Sequence, residues 1–542
     1  MKNAIMRLNK LWIKIRNHKK IFLKGDFLMK RFLALALSLL MILSVLLMAG
    51  CNSDTSKNTT TGTNKPQDTT GSTTGGTEEP GENTEPTELT GEEKLKGYED
   101  VTFGGEKFVI VGDDGEDDGY NTAKEIYSEE SDAISVAVRK RNMVIEALYD
   151  CKIELMTVAN TGEAISADIN GNQHTIDVYV NKYILASIAT GGNAYNLLTV
   201  GSRDIDFTQP WWDQKYVNSY TVKNSSGAKV LYAAIGDFAL NSFDCTHSLV
   251  YNKTVFENSK AKFEAAGIPT DIYQLVRDHK WTVDVFAAMI KAAAVDTNGN
   301  QTIDAYNEKD IAGWVRTIHG THGLHTASGL AILKNTDGVL TFEPDKNTEA
   351  WVNVVNKAIE IWAMPEGQTL SYSVIPEVVA GGYALFSSEL IGSSLPNLKD
   401  YEQAQIGILP YPVYSEGAEY AHYVDNHVSS YSIPSSCDHP DSVADFLTVY
   451  AYSSKYIVRP AYMEVYAYEY CADEDSYEML NIILDTMTYD VGYISTSPNL
   501  EGEISDMINN GKNNISQFAT RKVSTANEWI SGFIAGIDDN KI

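Results

Sequence analysis

The sequence predicts an α/β protein whose folded part divides into two lobes, each a mainly parallel sheet flanked by helices. Two observations carry this. From about Glu106 onward, short β-rich runs alternate with stretches of helical periodicity, the pattern that produces parallel sheets. The 542 residues also allow two to four domains or one large two-lobed unit. With 43% hydrophobic residues the chain can build substantial cores, which excludes wholesale disorder.

In chain order the first feature is an export signal. Met29-Lys30-Arg31 precedes an apolar run, Phe32 to Met48, that ends in Ala49-Gly50-Cys51. A cysteine directly after two small residues resembles the lipobox of bacterial lipoproteins, in which the thiol takes a diacylglycerol before cleavage ahead of it. Residues 1–50 are therefore read as a lipoprotein signal peptide with its true start at Met29, and Cys51 as the lipidated residue. An uncleaved anchor is the other reading, because the apolar run sits at the lower length limit for spanning a bilayer. Either way the protein is placed on the outer face of the cytoplasmic membrane. Residues 51–95 are rich in Thr, Gly, Glu and Pro and read as a flexible tether. Its root-mean-square length is about 35 Å.

Beyond the tether, Lys107–Val111, Lys152–Val158 and Asp177–Val180 read as strands, and Asp132–Tyr149 and Tyr183–Thr190 as helices. Arg141 falls inside the apolar stripe of Ile134, Val138, Ile145 and Leu148. Buried there, it needs an internal salt bridge or a ligand as partner. Thr282 caps a helix running through Ala294. Asp441–Tyr452 and Ser476–Thr486 read as later helices.

Charge and motifs narrow the function. The formal charge is −29, and residues 1–50 hold ten basic residues against one acid, so the rest is still more acidic. Such a surface repels phosphate backbones and disfavours nucleic acid. Thirty-one Tyr and eight Trp suit ligands that are apolar on one face and hydroxylated at the edge. Cys151, Cys245, Cys437 and Cys471 show no metal-type spacing and leave both disulfides and buried thiols open. Two SxxK tetrads, Ser226 with Lys229 and Ser259 with Lys262, lack the companion motifs of penicillin-binding enzymes. Enzyme is the runner-up reading, as a glycoside hydrolase, beside a cell-surface glycan-binding module.

An ordered set of segments then carries a family resemblance. It comprises Arg141-Asn142, Gln209-Pro210-Trp211-Trp212-Asp213, Tyr232 through Gly236-Asp237, Val250-Tyr251-Asn252-Lys253 and Trp281-Thr282. It continues with Gly407 through Pro412, Ser432-Ile433-Pro434, Arg459 through Tyr462, and Asp473, Ser476, Met479 and Leu480. Together, over about residues 98–500, these resemble the extracellular solute-binding lipoproteins that feed sugar ABC importers, the maltose-binding-protein type. The resemblance implies a two-lobed periplasmic-binding-protein-like fold of type II with hinge crossovers near Asn241–Ser248 and Gln405–Tyr411. Lobe one is then 98–245 plus 406–460, and lobe two 249–405 plus 461–542. It further implies a monomer that captures a carbohydrate between the lobes and passes it to ABC permease subunits, with no required cofactor.

Three local constellations leave alternatives open. Asp296, Asn298, Asn300, Thr302 and Asp304 place oxygens at alternate positions, with Asp310 as a distant sixth, which suits either a structural calcium loop or a polar Asx turn. Gln301 stands where a calcium loop usually has Gly. His319, His322 and His325 recur every three residues, but Gly320 and Gly323 weaken a helix there, so metal, cleft lining and plain loop all stand. Of Trp211 and Trp212, one stacks on a sugar or both pack in the core. In this fold, cleft contacts come from loops at strand ends and from the crossovers. These offer Tyr120, Asn121, Asn181, Tyr183, Trp211, Asp237, Asn241, Trp314, His319, Glu389, Asp425 and Asn426 as ligand-binding residues.

The anchor is directly testable. Cys51→Ser is expected to abolish labelling by radioactive palmitate and release the protein into the medium, and unchanged labelling would refute the lipobox.

Overall fold

The structure, a computed structural model, describes residues 89–538 apart from 117–118, 183–191, 399–400, 402–403, 472 and 495–498. The signal segment, Cys51, most of the tether and the helix expected over Tyr183–Thr190 lie outside the described residues. Among the described residues no helix is long and apolar enough to cross a membrane.

Two sheets organise the body. The first is ordered Ser430–Ser432, Val178–Asn181, Glu106–Asp113, Cys151–Val158. The last three strands are parallel, with Ile110 opposite Val178 and Glu106 opposite Cys151, and the first is antiparallel to its neighbour. The second sheet is ordered Gly367–Thr369, Ala312–Arg316, Ala384–Leu390, His247–Asn252, Ile406–Leu409. Its first three strands are parallel, while His247–Asn252 runs antiparallel to both neighbours. The chain therefore leaves the first sheet through the short helix Leu240–Asp244, enters the second at His247, and returns after Leu409 toward Ser430.

Sequence and structure agree closely on these elements. Helix Ala133–Tyr149 starts where the Asp132 side chain accepts from Ser135 N, and helix Val283–Ala293 where Thr282 does the same for Val285 N. Helix Pro440–Ser453 covers the first sheet, with Phe446 stacked on Phe108 at 4.2 Å. In the second lobe Trp281, Phe286, Trp314 and Phe386 make one aromatic core, and Trp281 Nε1 donates to Pro410 O at 2.9 Å. Helix Val283–Ala293 lies so close to strand Ala312–Arg316 that a Cβ on Gly313 would meet Ile290 O at 2.1 Å. All four described cysteines are buried free thiols.

Arg141 resolves one open reading. It is fully buried and makes no carboxylate bridge, lying instead over the Tyr450 ring at 4.0 Å. Its guanidinium donates to Glu125 O, Ile126 O, Asn142 Oδ1 and Ser454 Oγ at 2.9–3.3 Å. Truncation would leave several acceptors unsatisfied in a dry core. Arg141→Ala is expected to lower the urea-unfolding free energy by about 3 kcal/mol, measured by circular dichroism, without loss of the m-value that marks the folded body.

Candidate functional site

The carboxyl ends of the parallel strands in the two sheets face one another across a cleft, the place where such sheets put ligands. Two cavities of about 760 and 780 Å³ occupy it. Tyr120, Tyr372, Leu390 and Ser393 line both, so they form the partition of one continuous cleft. One compartment adds His247, His319, His322, Asp425, Asn426, His427, Tyr493 and Glu501, and the other Asn121, Glu125, Asn241, Asp244, Tyr462 and Tyr466.

Lobe one's wall is held from beneath. Lys182, buried, pairs with Asp113 at 2.9 Å and donates to Tyr120 O at 3.0 Å, which fixes the loop after the first strand. The Tyr120 ring stacks on His427 at 4.2 Å. His427 in turn hydrogen-bonds Asp425 through Nδ1, and its carbonyl accepts from Asn241 Nδ2. Burial pushes the Asp425 carboxyl upward, but hydrogen bonding to His427 outweighs it and holds the group below its ordinary value.

Lobe two's wall is a short helix, Gly320–Thr326, where glycines argued against one. They are present for close packing: a Cβ on Gly323 would stand 2.1 Å from the Tyr411 ring. His322 Nε2 and His325 Nε2 both reach Glu501 Oε1, at 3.1 and 3.2 Å, and His322 Nδ1 meets the Tyr493 hydroxyl at 2.9 Å. Burial raises the Glu501 carboxyl, yet these two histidines prevail and keep it well below the ordinary carboxylate range. His247 is depressed to about 3 by burial and by His322, so it is neutral at physiological pH.

The predicted ligand residues divide accordingly. Tyr120, Asn121, Asn241, His319, Asp425 and Asn426 come together on the cleft, although Asn121 also caps Thr122–Glu125 through Lys124 N. Trp211, with Trp212, packs in the lobe-one core against Tyr452. Trp314 is fully buried and donates to Ser388 Oγ at 3.2 Å. Asp237 is buried in ion pairs with Arg459 at 3.0 Å and Lys455 at 3.5 Å. None of these three lines the cleft, because each satisfies a core requirement. Asn181 ends its strand opposite Ser430 without lining either compartment. Glu389 lies in strand Ala384–Leu390, and the Glu389 side chain and all of Tyr183 fall outside the described residues.

In the Asp296–Asp310 loop the side-chain oxygens bond the loop itself. Asp296 accepts from Gly299 N and Gln301 N, Asn298 from Asn300 N, Asn300 from Thr302 N, and Asp310 from Thr297 N and Asp304 N. Gln301 takes φ 68°, the left-handed conformation that favours glycine.

Tyr372, Tyr493, His247, His427 and Glu501 are the cleft residues that sequence reasoning missed. His247 sits inside the crossover already named and Tyr372 just after a strand, so position could have flagged those two. Tyr493 and Glu501 come from the C-terminal stretch, whose sequence carries no motif.

No family model and no curated protein matches the chain. Among solved structures it is similar to a cyclo/maltodextrin-binding protein complexed with maltotetraose, at 15% identity and TM-score 0.50, covering 78% of this chain and 97% of that one. It also matches the GacH receptor of Streptomyces glaucescens at 12% identity and TM-score 0.46, over 79% and 99% of the two chains. A family 1 extracellular solute-binding protein from Bifidobacterium longum subsp. infantis matches at 13% and 0.46, over 79% and 100%. The first likeness shows the two-lobed periplasmic-binding-protein-like fold.

Glu125, buried beside the cleft, is raised to about 7 by burial. A carboxyl raised in the fold binds protons that the unfolded chain releases, so its contribution weakens as pH climbs from about 4.5 to 7. Glu125→Gln lacks this term. Relative to the variant, the wild type is expected to lose ~3 kcal/mol across that window, read from urea midpoints at stepped pH. A constant difference would contradict the assignment.

Proposed function

We propose that the protein is a membrane-anchored, extracellular receptor that captures an oligosaccharide between its lobes and delivers it to an ABC importer. The observation that carries the reading is the make-up of the cleft. Three tyrosines, Tyr120, Tyr372 and Tyr493, stand among short polar groups, Asn241, Asp425, Asn426 and His319, between two lobes that can close. Aromatic rings cover the apolar faces of pyranose rings, while Asn and Asp meet vicinal hydroxyls as donors or acceptors. Two joined compartments suit several sugar units. The acidic surface favours a neutral ligand over a phosphorylated one. The maltotetraose bound by a protein of the same fold supports this class of ligand. Lipidation at Cys51 and the tether would keep the receptor near its permease.

Intrinsic fluorescence against a library of free oligosaccharides tests the reading. A saturable one-to-one change is expected. Binding to polymers alone would make the protein a glycan-binding module, and products on chromatography would make it an enzyme. Tyr372→Ala combined with Asn426→Ala is expected to weaken binding about 100-fold, roughly 2.8 kcal/mol. The apo melting temperature should hold, since Tyr372 is 47% exposed. Wild-type affinity in that variant would exclude this cleft.

A further inference from the structure

A second cluster lies at the opposite end of the first sheet from the cleft. Glu106 opens strand Glu106–Asp113, and Asp177 immediately precedes Val178–Asn181, so both mark the amino ends of parallel strands. Cys437 and His439 come from the return passage, just ahead of helix Pro440–Ser453. The ligand atoms of Asp177, Cys437 and His439 lie within 4.8 Å of one another, the only such trio among the described residues. His439 Nε2 is 3.3 Å from Asp177 Oδ1 and 3.5 Å from Glu106 Oε1. Donors at about 2.0–2.3 Å from a tetrahedral zinc stand roughly 3.3–3.8 Å apart, so the separation of His439 Nε2 from Asp177 Oδ1 matches an edge of that tetrahedron.

The supporting contacts leave one atom of each side chain for an ion. Asp438 Oδ1 holds His439 Nδ1 at 2.7 Å, which turns Nε2 toward the carboxylates. Asp177 Oδ2 accepts from Val109 N at 2.7 Å, and Glu106 Oε2 from Ser442 Oγ. His439 Nε2 is shut off from solvent and makes no hydrogen bond. Three carboxylates and a thiol around a single imidazole are an excess of potential negative charge. Mixed sulfur, nitrogen and oxygen donors favour zinc over calcium or magnesium.

We propose that Cys437, His439 and Asp177 form a zinc site at the base of lobe one, with Glu106 beside His439 at its edge. On binding, the Cys437 thiol gives its proton to solvent and becomes a thiolate ligand, and neutral His439 binds through Nε2. One ligand, Asp177, belongs to the outward passage of the chain and two, Cys437 and His439, to the return, so the ion clamps the two halves of the lobe. The clamp is remote from the cleft and independent of which ligand the cleft takes.

The test uses the full chain, stripped with chelator and titrated with Co²⁺ and then Zn²⁺. One equivalent of Co²⁺ is expected to give a thiolate-to-metal charge-transfer band in the near ultraviolet, and Zn²⁺ to bleach it and raise the melting temperature by a few degrees. Cys437→Ala and, at a half-buried position, His439→Gln are each expected to lose the band and the melting shift. No band in the wild type means that His439 is an imidazolium paired with its carboxylates, and this overturns the proposal. A band that survives in either folded variant places the ion elsewhere and overturns it equally.

Discussion

One buried carboxyl holds together the parts of this molecule that must meet at the cleft. Glu125 accepts from Asn241 N at 3.0 Å on the outgoing crossover, and from Ser429 Oγ and Tyr431 OH at 3.1 Å at the returning strand Ser430–Ser432. Behind it, Arg141 takes the Glu125 carbonyl and lies on Tyr450. A short helical turn, a long helix, the outgoing crossover and the returning strand are thus referenced to a single point. Burying that carboxyl costs free energy, which the hydrogen bonds offset only in the native arrangement. The network therefore specifies geometry more than it adds stability.

The walls of the cleft follow from it. Asn241, held by its own N–H to Glu125, presents its side chain to the His427 carbonyl, and His427 carries the Tyr120 ring. Across the gap, Glu501 gathers His322 and His325 and so ties the C-terminal helix Leu500–Asn509 to the helix Gly320–Thr326. Each wall keeps its acid beside imidazoles.

Packing explains why some of the most conspicuous residues are not at the site. Arg316 lies 4.4 and 4.3 Å from the rings of Trp314 and Trp362, which stand edge to face at 83°, and the guanidinium donates to the Trp362 carbonyl. Burial depresses Arg316 to about 9, so the aromatic faces are the main compensation for a charge with no carboxylate beside it. Trp314 cannot both shield Arg316 and stack on a sugar. Asp237 is likewise committed to Arg459 and Lys455.

What the sequence by itself determined is what depends on neighbours in the chain. Period and capping residues marked the strands at Glu106, Cys151 and Val178 and the helices after Asp132 and Thr282, and the ordered segments pointed to two lobes. Cleft loops next to those strands, at Tyr120, Asn241 and Asp425, were legible for the same reason. Only the tertiary structure decided which aromatic faces inward, since Trp211 and Tyr372 look alike in a string and differ in what packs around them. It also brought Tyr493 and Glu501 to His322 across more than 160 residues, and Glu106 to His439 across more than 300. Such meetings are set by how the two sheets stack their helices, a property of the whole chain that no local pattern encodes.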